Sequence, residues 1–221
     1  MVLPPFPRVC GPLASSMRTL AVLLALLAVV SNRYEPQQGP VALRSKGRSD
    51  APVTVYEMSD FQCPYCRDFA LTTFPVLERE YAETGKVRFV YVNLPLTTLH
   101  PNAAAAAAAA LCAARQRRFW PMHDLLFRHQ EEWAKLAEPR PSFLALGDSA
   151  GLRRGRLASC LASPDAASDV AADAERAVRA GARSTPTFYI EGALLDGAAP
   201  VAVFRTVLDS IYRSKTAPRP P

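Results

Sequence analysis

Residues 59–66 read SDFQCPYC, and within them Cys63 and Cys66 stand three positions apart. The run before them, PVTVYEM at 52–58, is rich in β-branched and aromatic residues and predicts a buried strand. After them, large apolar residues recur at three- and four-residue steps as far as Tyr81, which predicts an amphipathic helix. The two cysteines are therefore expected where a strand leads into the first turn of a helix.

The start of a helix favours a negatively charged sulfur. The first backbone N–H groups of a helix have no partner within it, and the helix dipole adds positive potential there. Such settings lower the pKa of a thiol from about 8.5 to between about 3.5 and 7.5. We expect Cys63 to be an exposed thiolate and Cys66, one turn further in, to close or resolve a disulfide. Pro64 suits the first helical turn because its missing N–H would be unpaired in any case.

Two other chemistries use closely spaced cysteines, namely zinc binding and an inert structural disulfide. Structural zinc usually needs four ligands. The sequence contains neither a second Cys-x-x-Cys nor a His-x-x-x-His pair, and its histidines are His100, His123 and His129. We therefore predict no metal, and no cofactor other than a redox-active disulfide between Cys63 and Cys66. An inert disulfide at the same positions stays as an alternative.

The overall composition is that of a globular protein. The 221 residues are 49% apolar and 21% charged, which is ordinary for a folded domain. The net charge of +6 is spread along the chain, apart from small basic groups at 115–118 and 153–154. Scattered charge of this size gives little support to nucleic-acid binding, so no nucleic-acid partner is predicted.

The chain begins with features of an export signal. Arg18 precedes an apolar run at 20–30, which is shorter than the roughly 20 residues that a membrane-spanning helix needs. Residues 1–31 are therefore predicted to be a signal peptide, with an uncleaved membrane anchor as the alternative. Glycines and prolines predict a linker at 32–50 and a tail at 215–221. Export would place the chain outside the cytoplasm, in the periplasm or cell envelope, where disulfides persist.

The remaining pattern alternates between strands and helices. A second strand is predicted at 86–92, a block of helices at about 101–180, a hairpin at 187–195 and a last helix at about 200–214. The run at 103–110 consists of alanine, the strongest helix former. The crossover from the first strand to the second through one helix predicts that these two strands are parallel.

A second motif lies near the end of the helical block. Residues 181–188 read GARSTPTF, and a proline at the start of a strand predicts a cis peptide bond, here between Thr185 and Pro186. With this motif the sequence resembles the thioredoxin superfamily and, within it, the DsbA-like exported thiol–disulfide oxidoreductases. The resemblance covers about residues 50–212. Its matching segments are 51–66, 100–103, 119–120 with 123–124, and 185–188.

The resemblance implies a thioredoxin-like α/β fold, in which helices flank a central mixed sheet. It implies a DsbA-like domain at 51–214, whose helical block at about 101–180 is the family's inserted α-helical domain. In that family the first cysteine is the nucleophile, so Cys63 takes this role. The backbone of Thr185, next to the cis-proline Pro186, would pair with an extended substrate chain.

Two side chains near the cysteines refine the expected chemistry. DsbA has histidine where this chain has Tyr65, so no imidazole stabilises the thiolate. We expect a reduction potential below DsbA's roughly −120 mV but above thioredoxin's roughly −270 mV. Glu57, six residues before Cys63, matches a buried acid of the family and is a candidate to accept or relay the proton of Cys66. Its alternative is a surface residue on an edge strand.

The remaining cysteines of the domain, Cys112 and Cys160, lie in the helical block. A structural disulfide between them would fit an oxidising compartment. Two buried free thiols would fit as well. The sequence leaves both possibilities open.

For the whole chain the resemblance implies an exported enzyme that forms or exchanges disulfides in extracytoplasmic proteins through its Cys-Pro-Tyr-Cys pair. Its partners would be unfolded or cysteine-containing exported proteins and a membrane redox partner that reoxidises the pair. The alternatives are a disulfide reductase or isomerase and, from a different class, a non-catalytic exported binding or chaperone module. The direction of electron flow does not follow from the sequence, because it depends on partners and potential together.

Overall fold

A five-stranded sheet carries the cysteine motif at the end of its central strand. The computed structural model describes residues 41–217. The strands are β1 (Ser45–Lys46), β2 (Val53–Ser59), β3 (Val87–Asn93), β4 (Thr187–Ile190) and β5 (Ala193–Asp196). Their order is β1-β3-β2-β4-β5, with β2 and β3 parallel and every other pair antiparallel. The predicted mixed sheet and its parallel central pair are confirmed.

The helical stretch after β2 begins at the cysteine motif and leads to β3. Phe69 and Leu77 are fully buried on its inner face, in a cluster with side chains of the sheet. Pro75 lies between two π-helical turns. Proline has no backbone N–H to donate, and the change of helix type on either side lets the helical stretch continue past it. The stretch consists of α1 (Pro64–Asp68), a π-helical turn (Phe69–Thr73), α2 (Phe74–Leu77) and a second π-helical turn (Glu78–Ala82).

A block of helices lies between β3 and β4 in the sequence. It consists of α3 (Ala103–Ala114), α4 (Phe119–Arg128), α5 (Gln130–Trp133), α6 (Arg140–Ser149), α7 (Arg154–Ala162) and α8 (Pro164–Arg179), and a final helix, α9 (Val201–Thr216), follows β5. The alanine-rich α3 packs against α4, α7 and α8. Most of its residues are buried, because alanine side chains let neighbouring helices approach closely.

A disulfide joins two helices of this block. Cys112, near the end of α3, is bonded to Cys160 of α7. The sequence left open a disulfide or two buried free thiols at these positions, and the structure shows the disulfide. The bond links positions 48 residues apart and holds the end of α3 against α7.

Part of the segment predicted to be a linker at 32–50 is folded. Residues Ala42–Arg44 form a 3-10 helix, and β1 pairs with the edge of β3. Arg44 is buried and forms a two-point ion pair with Asp173 of α8. The linker prediction is wrong for these residues, because their order comes from a partner 129 positions away, which local composition does not reveal.

The predicted signal peptide or anchor at 1–31 lies outside the described residues, as does the segment 32–40. Between residues 41 and 217 no helix combines the length and the apolar character that crossing a membrane requires. At the other end, α9 extends to Thr216, so it runs two residues into the segment predicted to be a tail at 215–221.

Candidate active site

The cysteine motif lies where β2 passes into α1. Cys63 is the residue before the first helical residue and has an extended backbone, with φ −72° and ψ 126°. Its N–H donates to the carbonyl of Asp60 across 3.1 Å, and its own carbonyl accepts from the N–H of Arg67 at the same distance. Pro64 occupies the first position of the helix, where a missing N–H has no cost. Both Cys63 and Cys66 are free thiols in this structure.

The two sulfurs differ strongly in acidity. The pKa of Cys63 is lowered to about 6, chiefly by a hydrogen bond from the side chain of Cys66 and against the opposing effect of burial; the backbone N–H groups of Cys66 and Tyr65 add to the lowering. The pKa of Cys66 is raised well above its usual value, because this thiol is buried and lies beside Cys63. Near neutral pH one sulfur is therefore an anion while the other keeps its proton and can donate it.

Cys63 is less accessible than the sequence predicted. Its exposed fraction is 4%, and that of Cys66 is 0%. Between the two cysteines in the sequence, Tyr65 is 68% exposed. The expectation of an exposed Cys63 is wrong because it considered the helix start alone, whereas the loop that contains Thr185 also covers this sulfur.

That loop approaches the motif through one backbone carbonyl. The thiol of Cys63 donates to the carbonyl oxygen of Thr185 across 3.4 Å. The peptide bond between Thr185 and Pro186 is cis, and β4 begins at the next residue, Thr187. The hydroxyl of Thr187 donates to the carbonyl of Ser184 and bonds with Asp196 of β5, which fixes the loop to the hairpin. The two motifs that the sequence singled out thus meet at the sulfur of Cys63.

Glu57 lies in the interior of the sheet. It is 2% exposed, on a strand that has β3 on one side and β4 on the other, so the alternative of a surface residue on an edge strand is excluded. Burial raises the pKa of its carboxyl to about 8. Within residues 41–217 its Oε1 atom has no hydrogen-bond partner. The group is therefore a neutral acid near pH 7, with a proton to give.

Two buried hydroxyls surround this acid, and sequence reasoning missed both. Tyr91 of β3 stands opposite Glu57 in the parallel register, and Ser59 is two residues further along β2. The Ser59 hydroxyl counteracts the effect of burial on the pKa of Glu57, of Cys66 and of Tyr91. Its oxygen atom is buried and has no hydrogen-bond partner within residues 41–217. A serine in a strand carries no sequence signal that distinguishes such a role.

Asp60 holds the turn before the cysteines. Its carboxylate accepts from the backbone N–H of Gln62 at 2.7 Å and of Leu96 at 2.8 Å, and it bonds with Nδ1 of His100 at 2.8 Å. The Sγ atom of Cys66 lies 3.5 Å from the backbone nitrogen of the same aspartate. The sequence singled out residues 100–103 as part of the resemblance but did not connect them with this aspartate.

The helical block also positions the cysteines. Gln130 of α5 is buried, and its Nε2 donates to the carbonyls of Phe61 at 2.7 Å and of Cys63 at 3.0 Å. The side chain of Gln62 in turn accepts from the N–H of Asn102, just before α3. Sequence reasoning missed these contacts too. Among the described residues, no cluster of three or more His, Cys, Asp or Glu side chains could hold a metal ion.

Comparison with known proteins places this geometry in a family. Residues 42–210 match the family model described as Thioredoxin. The chain belongs to the thioredoxin family. It is 30% identical over 155 residues to the probable disulfide bond formation protein D of Bacillus cereus, which covers 68% of this chain and 71% of that protein.

A solved structure and a second group of relatives extend this result. The crystal structure of oxidised BdbD from Bacillus subtilis superimposes with a TM-score of 0.70 at 25% identity, covering 77% of this chain and 92% of BdbD. The DsbA-like resemblance is thereby confirmed. The chain is also 33% identical over 188 residues to Na(+)/H(+) antiporter NhaA 3 of Salinispora tropica, covering 84% of this chain. It spans about a quarter of the length of that antiporter, 27%.

Proposed function

We propose that the chain is a thiol–disulfide oxidoreductase that acts outside the cytoplasm and forms or exchanges disulfides in exported proteins. The observation that carries the proposal is the split acidity of the Cys63–Cys66 pair, with one thiol at a pKa of about 6 and the other well above its usual value. An inert structural disulfide has no need for such a difference. Membership of the thioredoxin family supports the same activity.

The reaction begins with the oxidised pair. A substrate thiolate attacks Sγ of Cys63, the bond between the two cysteines breaks, and Cys66 leaves with the electron pair. Because the pKa of Cys66 is raised, it takes up a proton, and Glu57, still protonated near pH 7, lies in the same buried cluster to supply it.

The second step releases the product. The substrate's other thiolate attacks the substrate sulfur of the mixed disulfide and displaces Cys63 as a thiolate. A thiol of low pKa leaves faster in such exchange, so the pKa of about 6 favours this step. Two electrons pass from the substrate to the pair, and a membrane redox partner would accept them to restore the disulfide.

The loop that contains the cis-proline Pro186 is the proposed binding site for the substrate backbone. The carbonyl of Thr185 already lies 3.4 Å from Cys63 Sγ. An extended substrate segment would pair with the backbone of Thr185, while the exposed Pro64 and Tyr65 form the surface beside it. Cys63 is 4% exposed, so its reaction requires the substrate to displace part of this cover.

Variants of the cysteines test the activity directly. Catalysed oxidation of a reduced dithiol peptide is measured for the wild type, Cys63→Ser and Cys66→Ser. We expect both single variants to lose turnover, because neither can form the disulfide that oxidises the peptide. Given the disulfide-bonded peptide instead, Cys66→Ser should accumulate a mixed disulfide, because its Cys63 thiolate attacks the peptide disulfide and no Cys66 thiol is present to release it. The double variant Cys112→Ala/Cys160→Ala is the matched control and keeps its activity. No oxidation by the wild type above the rate without protein would leave only the binding or chaperone module.

The reduction potential separates an oxidase from a reductase or isomerase. Equilibration against glutathione buffers should give a value between about −120 and −270 mV for an oxidising enzyme that lacks an imidazole beside its thiolate. A value near thioredoxin's potential would favour the reductase or isomerase, because the same exchange steps then run from the reduced pair.

Export is proposed on two grounds. The apolar run at 20–30 follows Arg18 as in signal peptides, and the disulfide Cys112–Cys160 is of a kind that persists in oxidising compartments. A fusion of residues 1–50 to alkaline phosphatase, which needs disulfides for activity, tests this. Activity of the fusion supports export, and its absence in a well-expressed fusion contradicts it.

A further inference from the structure

A cavity lies at the helical block, and none of its lining residues belongs to the site around Cys63. It occupies about 410 Å³ between the turn after α3 and the start of α7. The side chains that line it are mostly arginines. The residues concerned are Arg115, Gln116, Arg117, Arg118, Arg153 and Arg156.

Three of the arginines in this cavity have no counter-charge in the described part of the chain. Arg115 pairs with Asp169 across 2.8 Å, and the neighbouring aspartate on α6 pairs with an arginine outside the cavity. Within residues 41–217, Arg118, Arg153 and Arg156 form no ion pair. Like charges around one small cavity repel each other, so an anion placed among them would lower the free energy of the folded state.

An unused hydrogen-bond donor lies in the same wall. Gln116 accepts from the backbone N–H of Arg153 across 2.9 Å through its Oε1 atom. This contact fixes the orientation of the amide. The opposite atom, Nε2, is buried and has no acceptor in the described part of the chain. A buried donor without an acceptor destabilises the folded state, and an oxygen atom of a bound anion would accept a hydrogen bond from it.

The backbone of the turn is strained in a way that presents these side chains. Arg117 has a φ of +58°, in the left-handed region that residues other than glycine rarely adopt. Such conformations persist where surrounding bonds enforce them. Here the N–H groups of Arg117 and Arg118 donate to the carbonyls of Ala114 and Ala113 at 2.8 and 2.9 Å. The turn therefore holds consecutive arginines in a fixed arrangement.

The disulfide of the helical block holds the two walls together. Cys112 lies just before the turn and Cys160 lies on α7, the helix that carries Arg156. Nη1 of Arg115 lies 3.6 Å from Sγ of Cys160. The two arginine-bearing walls are thus joined by a covalent bond next to the cavity.

We propose that this cavity binds an oxyanion with phosphate groups, either a free phosphate compound or the phosphodiester headgroup of an anionic lipid. Guanidinium groups present their donors in a planar fork that matches two oxygens of a phosphate, which is why arginine predominates in such sites. Three unpaired arginines can neutralise more than one negative charge, and the Gln116 amide adds a neutral donor. The site is separate from the redox pair and is a second binding function of the chain.

The first test measures binding of inorganic pyrophosphate to the full chain by titration calorimetry at constant ionic strength. The variant Arg118→Gln/Arg156→Gln should weaken binding at least tenfold. The control Arg79→Gln/Arg213→Gln removes the same charge from exposed positions elsewhere and should change the affinity less than twofold. Equal losses in both variants would show that net charge alone attracts the anion and would overturn the proposal.

A single substitution tests the site without removing an arginine. Gln116→Glu places a carboxylate in the cavity, where it supplies the missing counter-charge. We expect this variant to bind pyrophosphate at least tenfold more weakly while its melting temperature rises. A variant that binds as the wild type does, or that loses binding only with a fall in melting temperature, contradicts the proposed arrangement.

Vesicles distinguish the two sources of phosphate. Sedimentation with phosphatidylcholine vesicles that contain phosphatidylglycerol is compared with sedimentation on phosphatidylcholine alone. A gain from phosphatidylglycerol that Arg118→Gln/Arg156→Gln loses and Arg79→Gln/Arg213→Gln keeps identifies a lipid headgroup. Pyrophosphate binding with no such gain identifies a free phosphate compound. If neither probe distinguishes the two variants, the cavity is not an oxyanion site.

Discussion

The Sγ atom of Cys63 lies 3.4 Å from the carbonyl oxygen of Thr185, although 122 residues separate them in the sequence. The contact brings the start of a helix and a cis-proline loop together at one sulfur. As a thiol, Cys63 donates a hydrogen bond to this carbonyl; as a thiolate, it has no proton to donate. Ionisation therefore releases the Thr185 carbonyl, next to the atom that a substrate sulfur must reach.

The acidity of Cys63 can be measured directly. In the reduced protein, thiolate absorbance at 240 nm should rise with a midpoint near pH 6, in keeping with its lowered pKa. The variant Cys63→Ser should lose this transition, and Cys66→Ala should shift it upward because it removes the hydrogen bond that is the largest cause of the lowering. A midpoint at the value of an ordinary cysteine would contradict the assigned role.

The same shift predicts how stability depends on pH. A group whose pKa falls on folding contributes stability above its unfolded pKa and loses it as the pH falls through the folded pKa. Relative to Cys63→Ser, the reduced protein should therefore gain stability from about pH 6 to about pH 9. Urea unfolding of both proteins across this range measures the difference, and a flat difference would count against a lowered pKa.

The contribution of Glu57 to stability should change with pH in the opposite direction to that of Cys63. Its pKa is raised to about 8, so the folded state resists ionisation that the unfolded state undergoes from about 4.5. The wild type should lose stability relative to Glu57→Gln as the pH rises between these values, by on the order of 1 kcal/mol per pH unit. Urea unfolding of the oxidised proteins, whose active-site thiols do not titrate, tests this. Equal pH dependence in both would mean that Glu57 ionises normally.

Glu57→Gln also tests the proposed proton transfer. A glutamine cannot give a proton to Cys66 as this residue leaves the disulfide. We expect attack on Cys63 to slow in stopped-flow measurements, while Cys63 itself stays reactive in alkylation of the reduced protein. Ser59→Ala, which removes a buried hydroxyl that lowers the pKa of both groups, should slow the same step with the carboxyl in place. An unchanged rate in both variants would remove this cluster from the mechanism.

The buried ion pair between Arg44 and Asp173 should be important for stability. Removing one partner of a buried pair leaves the other charge without compensation and costs about 3–5 kcal/mol. Arg44→Met should therefore unfold at much lower urea concentration than the wild type. The matched control is Arg205→Met, which breaks the partly exposed pair with Glu80 and should change the urea midpoint far less, because water screens an exposed pair. Similar effects of the two substitutions would contradict the burial of Arg44.

The disulfide of the helical block should contribute both stability and binding. Replacing Cys112 and Cys160 by alanine should lower the free energy of unfolding by about 2–4 kcal/mol, as is typical for a native disulfide. Because the bond joins the two walls of the arginine-lined cavity, pyrophosphate binding should weaken as well. Calorimetry at a temperature where the variant is folded measures this. Retained affinity would show that the walls keep their positions without the bond.

The sequence predicted the strand, the cysteine turn and the helix correctly because their signals are local. The signals concerned are the β-branched and aromatic content of β2, the spacing of Cys63 and Cys66, and the proline before β4. Each lies within a few residues. The sheet and the family followed from the order of these segments. The run of alanines at 103–110 was likewise enough to predict helix α3.

The contacts that position the site could not be predicted in this way. Gln130 donates to the carbonyl of Cys63, which lies 67 residues away in the sequence, and Arg44 pairs with Asp173, which lies 129 residues away. A single sequence contains no signal for such pairs. The burial of Cys63 was missed for the same reason, since its cover comes from the loop at Thr185.

The bonding of Asp60 has a consequence for the charge around the nucleophile. A carboxylate three positions before Cys63 would ordinarily repel a developing thiolate. Here two backbone N–H groups and the imidazole of His100 bond to its oxygens and offset part of its negative charge. Asp60 can therefore fix the turn before the cysteines while Cys63, three residues later, keeps its lowered pKa.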